Sequence, residues 1–260
     1  MFGIIPKTLW TRRSKVDELN RVPLGLRSLL IEGPNFKALI DCGMGSKWDP
    51  LSEERYHYQN LNYDEHLKTS YGIDRSMITH VLLTHLHFDH AGGLTQLDAD
   101  SKTLIPTFPN AEVLVHERNF NLAKSKPYRE GASYRSENFE VIEKSGRLKL
   151  FSGNGSELLS GVAFEISEGH TQGQAIYHIK NGSEHLVFCG DLMPTKAHLD
   201  PVWGMGYDTQ PLKLIDEKFS LLDRAAKNSW KLCFPHDPEN VWAQCEEGEK
   251  AKSYRWVSTG

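Results

Sequence analysis

At 260 residues, 39% of them hydrophobic and 25% charged, the chain is long enough to bury a substantial core in one domain spanning residues 1–260. Its formal net charge is -4 and its longest basic run is Arg12-Arg13, which argues against a nucleic-acid or anionic-membrane partner. No apolar run is long enough to cross a bilayer and no leader pattern precedes the first charged residues, so we expect a cytoplasmic protein.

The four cysteines lie far apart in the sequence and form no C-x-x-C pair. Their spacing is typical neither of a disulfide framework nor of a thiolate zinc site. We therefore predict buried free thiols at Cys42, Cys189, Cys233 and Cys245.

The first half of the chain predicts alternating strands and helices. Gly33-Pro34-Asn35 separates two apolar segments, which indicates a hairpin with strands at residues 26–32 and 37–41. The other elements expected in this half are a helix at 64–71, a strand at 79–83, a helix at 91–98 that begins at two glycines, and a strand at 112–116.

The second half is richer in β-structure. Strands are predicted at 148–151, 162–166, 174–179 and 185–189, the last two joined at Asn181-Gly182. Apolar residues from Leu212 to Ala226 recur at helical spacing, a strand follows at 231–234, and a surface helix or frayed end is expected from Gln244. This order favours a layered α/β fold over a bundle or a β-sandwich.

The segment Thr84-His-Leu-His-Phe-Asp-His-Ala-Gly-Gly93 places three histidines and an aspartate directly after an apolar strand. Imidazole and carboxylate groups are ligands for zinc, iron and manganese. Other polar residues also follow predicted strands, namely Asp41, His170, Asp191 and His236. If those strands lie side by side, their ends gather at one edge, where many α/β folds bind ligands.

These motifs, Thr84 to Gly93, Gly169-His170-Thr171, Gly190-Asp191 and Pro235-His236, together resemble the metallo-β-lactamase superfamily in type and order. The resemblance implies an αββα sandwich with two divalent metal ions, zinc being favoured over manganese, iron or cobalt. It assigns His85, His87 and His170 to one metal, Asp89, His90 and His236 to the other, and Asp191 to both. No organic cofactor is expected.

Three further roles follow from this assignment. A glycine-flanked aspartate such as Asp41 is commonly a turn-former, but the resemblance makes it a partner that orients a ligand imidazole. Asp89 is expected to carry a proton to the leaving oxygen. His198 is a candidate pocket residue because it follows Asp191 by seven positions, whereas the remaining histidines are expected to be structural or on the surface.

Within the superfamily, the motifs Gly-His170-Thr-Gln-Gly-Gln and Gly-Asp191-Leu-Met-Pro-Thr are most similar to quorum-quenching N-acylhomoserine lactonases. The resemblance implies that a hydroxide bridging the two metals opens the lactone ring. Such lactonases carry a tyrosine three residues beyond the bridging aspartate, where this chain has Pro194. Either Tyr207 or His198 replaces that tyrosine, or the substrate is an aryl ester or organophosphate.

Other classes fit less well. A diiron oxidoreductase of the same fold would replace His87 by glutamate and add a flavin domain, a nuclease would need a basic groove, and a binding protein would have lost ligands. The expected partner is thus a small lactone or ester, with a homodimer left open. Residues 127–139 and 201–207, including Trp203, are candidates for the substrate wall, although 127–139 also fits a simple surface loop.

Overall fold

The computed structural model describes residues 1–58, 62–250 and 252–260. Contacts between Cα atoms divide it into two compact units, residues 1–25 with 153–260 (unit 1) and residues 26–152 (unit 2). The single domain expected from the sequence stays a prediction. Within the described ranges, no helix combines the length and the apolar character that a transmembrane segment requires.

The α-helices are α1 (Lys7–Trp10), α2 (Pro50–Tyr56), α3 (Tyr63–Tyr71), α4 (Phe88–Ala91), α5 (Glu117–Ser125), α6 (Glu140–Lys144) and α7 (Pro211–Asn228). The strands are β1 (Leu29–Gly33), β2 (Phe36–Ile40), β3 (His80–Leu82), β4 (Thr95–Leu97), β5 (Leu104–Pro106), β6 (Glu112–His116), β7 (Leu148–Phe151), β8 (Glu157–Leu159), β9 (Val162–Ser167), β10 (Gln174–Asn181), β11 (Glu184–Phe188), β12 (Lys231–Cys233), β13 (Trp242–Glu247) and β14 (Tyr254–Thr259).

Unit 2 contains a five-stranded sheet in the order β1-β2-β3-β6-β7. The predicted hairpin is confirmed, with Leu29 opposite Ile40, and β3 runs parallel to β2 with Leu82 beside Ile40. Because parallel strands end at the same edge, Asp41 and the segment after Leu83 emerge together, and the Asp41 amide donates to the Leu82 carbonyl at 3.0 Å. This edge brings Asp41 to the histidine segment.

The helix expected over 91–98 is wrong. The chain instead makes the single turn α4, a 3₁₀ turn at Gly92–Leu94, and strand β4, which pairs with β5. The two glycines permit close backbone approach: a Cβ on Gly92 would lie 2.2 Å from the Met44 carbonyl oxygen, and one on Gly93 would lie 2.1 Å from that of Cys42. They serve tertiary packing, so the helix ends there.

Unit 1 contains a seven-stranded sheet in the order β14-β13-β12-β11-β10-β9-β8. The predicted hairpin at Asn181-Gly182 is confirmed, and β12 lies parallel to β11 with Cys233 beside Phe188. The segments that follow these two strands, leading to Asp191 and His236, therefore start at the same edge of the sheet. Strand β9, which leads to His170, points the same way as β11, because both strands are antiparallel to β10.

Helix α7 confirms the predicted amphipathic helix. It begins with Pro211, a favourable first helical residue, and ends before Ser229, whose φ of 54° is left-handed. Its apolar face packs with β-strand residues such as Ile176 and Val187 in the core of unit 1. A Cβ on Gly169 would lie 2.4 Å from the Leu214 Cα, so this glycine lets the His170 segment approach the helix.

The surface helix or frayed end expected from Gln244 is also wrong. Residues 242–247 form β13, which pairs with β12 on one side and β14 on the other, while residue 251 lies outside the described part of the chain. The physical reason is a period of two: Ala243 and Cys245 are buried while Gln244 is only partly buried. This alternation is hidden by the charged residues that follow.

Candidate metal centre

In unit 2, Asp41 organises the first and last histidines of the motif. Its Oδ1 accepts a hydrogen bond from the Thr84 amide, and its Oδ2 accepts from Thr84 Oγ1 and from His90 Nδ1, all at 2.8 Å. Thr84 Oγ1 in turn lies 3.0 Å from His85 Nδ1. Asp41 has a left-handed φ of 54°, a conformation that aspartate tolerates better than most residues. All four side chains are buried.

The middle histidine has a different carboxylate partner. His87 Nε2 lies 3.1 Å from Glu130 Oε2, and both side chains are at most 9% exposed. Glu130 belongs to the 127–139 segment, which also places the buried Tyr134 ring 4.8 Å from the His87 ring. Asn119 links the two segments, accepting from the Leu86 amide and donating to the Tyr134 hydroxyl. This segment is therefore packed against the motif within unit 2.

Asp89 is the accessible acid of the motif. Its side chain is 27% exposed, and its Oδ2 lies 4.0 Å from His90 Nε2. A carboxylate that is partly solvated and close to the histidines of the motif is well placed to exchange protons with water or substrate.

In unit 1, Asp208 fixes the orientation of His170. Asp208 Oδ1 accepts a hydrogen bond from His170 Nδ1 at 2.9 Å, while its Oδ2 accepts from the Met205 amide at 2.6 Å. The segment carrying Asp208 is tethered to α7 by Lys218, whose Nζ donates to the Asp200 and Trp203 carbonyls at 3.0 and 2.8 Å. Burial lowers the pKa of Lys218 to about 7. His170 is thus held on a rigid support.

Asp191 lies between two histidines of unit 1. Its Oδ2 is 3.3 Å from His170 Nε2, and its Oδ1 is 3.0 Å from His236 Nε2. His236 Nδ1 donates to the Gly25 carbonyl at 2.8 Å, and the His236 amide donates to the Pro194 carbonyl. The two oxygens of one carboxylate therefore face two different imidazoles, an arrangement that would let Asp191 contact two cations.

The hydrogen bonds of these histidines select the tautomers that metal binding needs. In His85, His90, His170 and His236 an oxygen acceptor holds the proton on Nδ1, so the lone pair is on Nε2. In His87 the proton is on Nε2, beside Glu130, and the lone pair is on Nδ1. Neutral imidazoles oriented by carboxylates and carbonyls are typical of metal ligands. The donor set in each unit therefore fits divalent ions.

His198 has a different environment from the one its sequence position suggested. Its side chain is fully buried in unit 1, its Nε2 donates to the Met1 carbonyl at 3.2 Å, and its Nδ1 lies 2.8 Å from Thr195 Oγ1. Burial and the neighbouring Lys218 lower the pKa of His198 to about 3. Both ring nitrogens make hydrogen bonds within the protein, which favours a structural role for His198. Its catalytic role stays a prediction.

Two aromatic residues of the candidate wall segment 201–207 differ in their exposure to solvent. Trp203 is 7% exposed and packs against Phe2 and under the Arg13 guanidinium, whose carbon lies 3.9 Å from the ring centroid. Tyr207 is 54% exposed. Of these two aromatic residues, Tyr207 is the one that presents its ring to solvent.

The predicted free thiols are confirmed, since all four cysteines are buried and unbridged. Burial, together with the charge of Asp41, raises the pKa of Cys42, and burial also raises that of Cys189. A thiol held in its protonated form is a poor metal ligand.

Sequence reasoning did not identify Glu130 or Asp208. Asp208 is 38 residues from the histidine that it orients, and Glu130 is 43 residues from His87. No local spacing marks either residue. The signal that remains is position: Glu130 lies within the suspected wall segment 127–139, and Asp208 directly follows the suspected segment 201–207.

Comparison with known proteins agrees with this geometry. A family model described as the Metallo-beta-lactamase superfamily matches residues 23–236, and the chain belongs to this superfamily. No curated protein matches the chain. A probable metal-dependent hydrolase from Staphylococcus aureus is 27% identical, with a TM-score of 0.88 over 100% of this chain and 91% of that one.

Two more distant structures share the fold. Hydrolase AbOPH of the beta lactamase superfamily is 23% identical, with a TM-score of 0.79 over 99% of this chain and 88% of that one. AidC, a dizinc quorum-quenching lactonase with a bound homoserine product, is 22% identical, with a TM-score of 0.71 over 90% and 79%. The predicted fold is confirmed, and the chain is a metal-dependent hydrolase of a superfamily that binds divalent metals, typically zinc.

Proposed function

We propose that the chain opens the lactone ring of N-acylhomoserine lactones with two zinc ions. His85, His87 and His170 would bind one ion, Asp89, His90 and His236 the other, and Asp191 both. The observation that carries the proposal is the position of Asp191, whose two oxygens face His170 and His236 separately. The likeness of fold to AidC supports the choice of a lactone.

The two ions would supply an activated water and polarise the substrate carbonyl. The protein supplies orientation: Asp41, Glu130 and Asp208 hold three imidazoles by charge-assisted hydrogen bonds in a buried setting. Asp89 would accept a proton and deliver it to the ring oxygen that leaves. Tyr207, whose hydroxyl donates to Met1 Sδ at 3.1 Å, would have to exchange that acceptor for a carbonyl oxygen to replace the tyrosine absent at Pro194.

Asp89→Asn is expected to lower kcat by about 10² to 10⁴, because an amide cannot carry the proton to the leaving oxygen. Steady-state hydrolysis is to be measured beside metal content by mass spectrometry. Since Asp89 is also a proposed ligand, only preparations with equal metal content test the proton transfer. Full turnover by such a preparation would refute the role.

The substrate is tested by mass spectrometry of a long-chain N-acylhomoserine lactone incubated with zinc-loaded protein. The expected product is heavier than the lactone by one water and is not formed by Asp191→Ala. A lactone that stays intact with fully metallated protein contradicts the assignment.

Pro194 favours a second candidate, an aryl-ester or organophosphate hydrolase using the same centre. Its carbonyl accepts from the His236 amide, so this position supports a ligand loop and offers no hydroxyl. Hydrolysis of a chromogenic aryl ester or phosphotriester, with no turnover of the lactone, would select this alternative. The localisation and the oligomeric state stay predictions.

A further inference from the structure

A second pair of histidines in unit 1 lies apart from the residues assigned to the metal centre. His178 on β10 and His185 on β11 lie on the same face of the sheet, diagonally across the strand pair, because His178 is opposite Val187 and His185 is opposite Lys180. Val187 belongs to the core that packs on α7, so this is the helix-covered face. His178 is 8% exposed and His185 is partly buried.

Glu165 on β9 favours one tautomer of His178. Both terminal nitrogens of Arg224 donate to the Glu165 carboxylate, at 2.9 Å each, and His178 Nε2 lies 3.5 Å from Oε1. Although burial alone would raise the pKa of Glu165, hydrogen bonds from His178 and Arg224 lower it to about 2. The carboxylate is therefore ionised at neutral pH and favours the His178 proton on Nε2, with the lone pair on Nδ1.

That lone pair faces the other histidine. His178 Nδ1 and His185 Nε2 are 3.0 Å apart, and the His185 ring packs on Trp230 with a centroid distance of 4.3 Å. Burial and the neighbouring His178 lower the pKa of His185 to about 4, so the His185 ring is a neutral imidazole at neutral pH. His178 Nδ1 and His185 Nε2 can share the Nε2 proton of His185 in a hydrogen bond. Once that proton has moved to His185 Nδ1, the same two nitrogens can bind a cation.

We propose that His178 and His185 form a separate binding site for a divalent transition-metal ion of square-planar or octahedral preference, Ni(II) or Cu(II). Metal–imidazole bonds of about 2.0–2.1 Å at a right angle place the two nitrogens about 2.8–3.0 Å apart, whereas a tetrahedral angle needs about 3.3–3.4 Å. The 3.0 Å separation, which a hydrogen bond between the two rings now spans, falls within the right-angle range. Water completes the coordination on the exposed side of His185.

The surroundings set the affinity of this site below that of a centre with more ligands. Glu165 attracts a cation, but its charge is largely balanced by Arg224, and Lys180 lies close enough to lower the pKa of His185. Binding also requires the His185 ring to turn so that its Nε2 lone pair points at the ion. No net proton is released, because His185 stays neutral with its proton on Nδ1.

The site is tested with Ni(II) on tag-free protein whose main centre has first been loaded with Zn(II). Ni(II) is chosen because thiols do not reduce it. Bound nickel is measured by equilibrium dialysis and mass spectrometry for the wild type, for His185→Gln and, as a second variant, for His178→Gln. His66→Gln is the matched control, because His66 is exposed in unit 2. Circular dichroism verifies that each variant is folded.

The wild type and His66→Gln are expected to bind about one Ni(II) per chain with zinc retained. Folded His185→Gln should bind it at least about tenfold more weakly. Wild-type protein that takes up no nickel beyond exchange for zinc, or His185→Gln that binds it as tightly as His66→Gln does, would overturn the proposal. Neither outcome depends on which substrate the main centre hydrolyses.

Discussion

Asp191→Ala is expected to reduce bound metal to less than half of the wild-type content and to lower the hydrolysis rate by more than about a hundredfold. Removing a residue that merely orients a ligand costs about 10- to 100-fold in affinity or activity. Asp191 would bind both ions directly, and its two oxygens lie 3.3 and 3.0 Å from the imidazoles of His170 and His236. With alanine at this position, both proposed metal ions would lose the carboxylate that they share.

The measurement is metal content after dialysis against a weak chelator, with hydrolysis followed in the same samples. Asp223→Ala is the matched control, because Asp223 is an aspartate of unit 1 whose side chain is 44% exposed and pairs with Lys227. It should retain metal and activity within about twofold of the wild type. An Asp191→Ala protein that is folded and keeps two equivalents of metal would remove this residue from the centre.

The elements that the sequence predicted correctly are those whose cause is local. The hairpin at Asn181-Gly182 follows from its turn residues, and α7 follows from its apolar period. The density of imidazole and carboxylate side chains between His85 and His90 is likewise visible within a single segment. Such features need no knowledge of what lies across space from them.

The failures have non-local causes. Gly92 and Gly93 suggested the start of a helix. Glycine is needed there for another reason, because a side chain would clash with the Met44 and Cys42 carbonyls, which are distant in sequence. The strand β13 depends on pairing with β12, and the charged residues around it hide its short period-two alternation. Asp208 orients His170 from a loop that Lys218 ties to α7. Such partners are set by tertiary packing.

Asp41→Asn is expected to weaken metal binding by about 10- to 100-fold and to lower the free energy of unfolding of the metal-free protein by about 2–4 kcal/mol. Asparagine tolerates the left-handed φ of 54° and can still accept from the Thr84 amide, so the backbone is preserved. Its amide nitrogen, however, replaces the Oδ2 that accepts from His90 Nδ1 and Thr84 Oγ1. The buried donors of His90 and Thr84 would then face the amide nitrogen of the asparagine, which is also a donor.

Urea unfolding of the metal-free protein and zinc competition with a chromophoric chelator measure the two effects separately. Asp74→Asn is the control, because it makes the same change in unit 2 at an exposed aspartate whose carboxylate accepts from the Ser76 amide. It should change the free energy of unfolding by no more than about 1 kcal/mol and leave zinc affinity unaltered. If Asp41→Asn behaves like this control, the Asp41 carboxylate does not fix the tautomer of His90. If it lowers stability alone, the carboxylate supports the fold but does not tune the ligand.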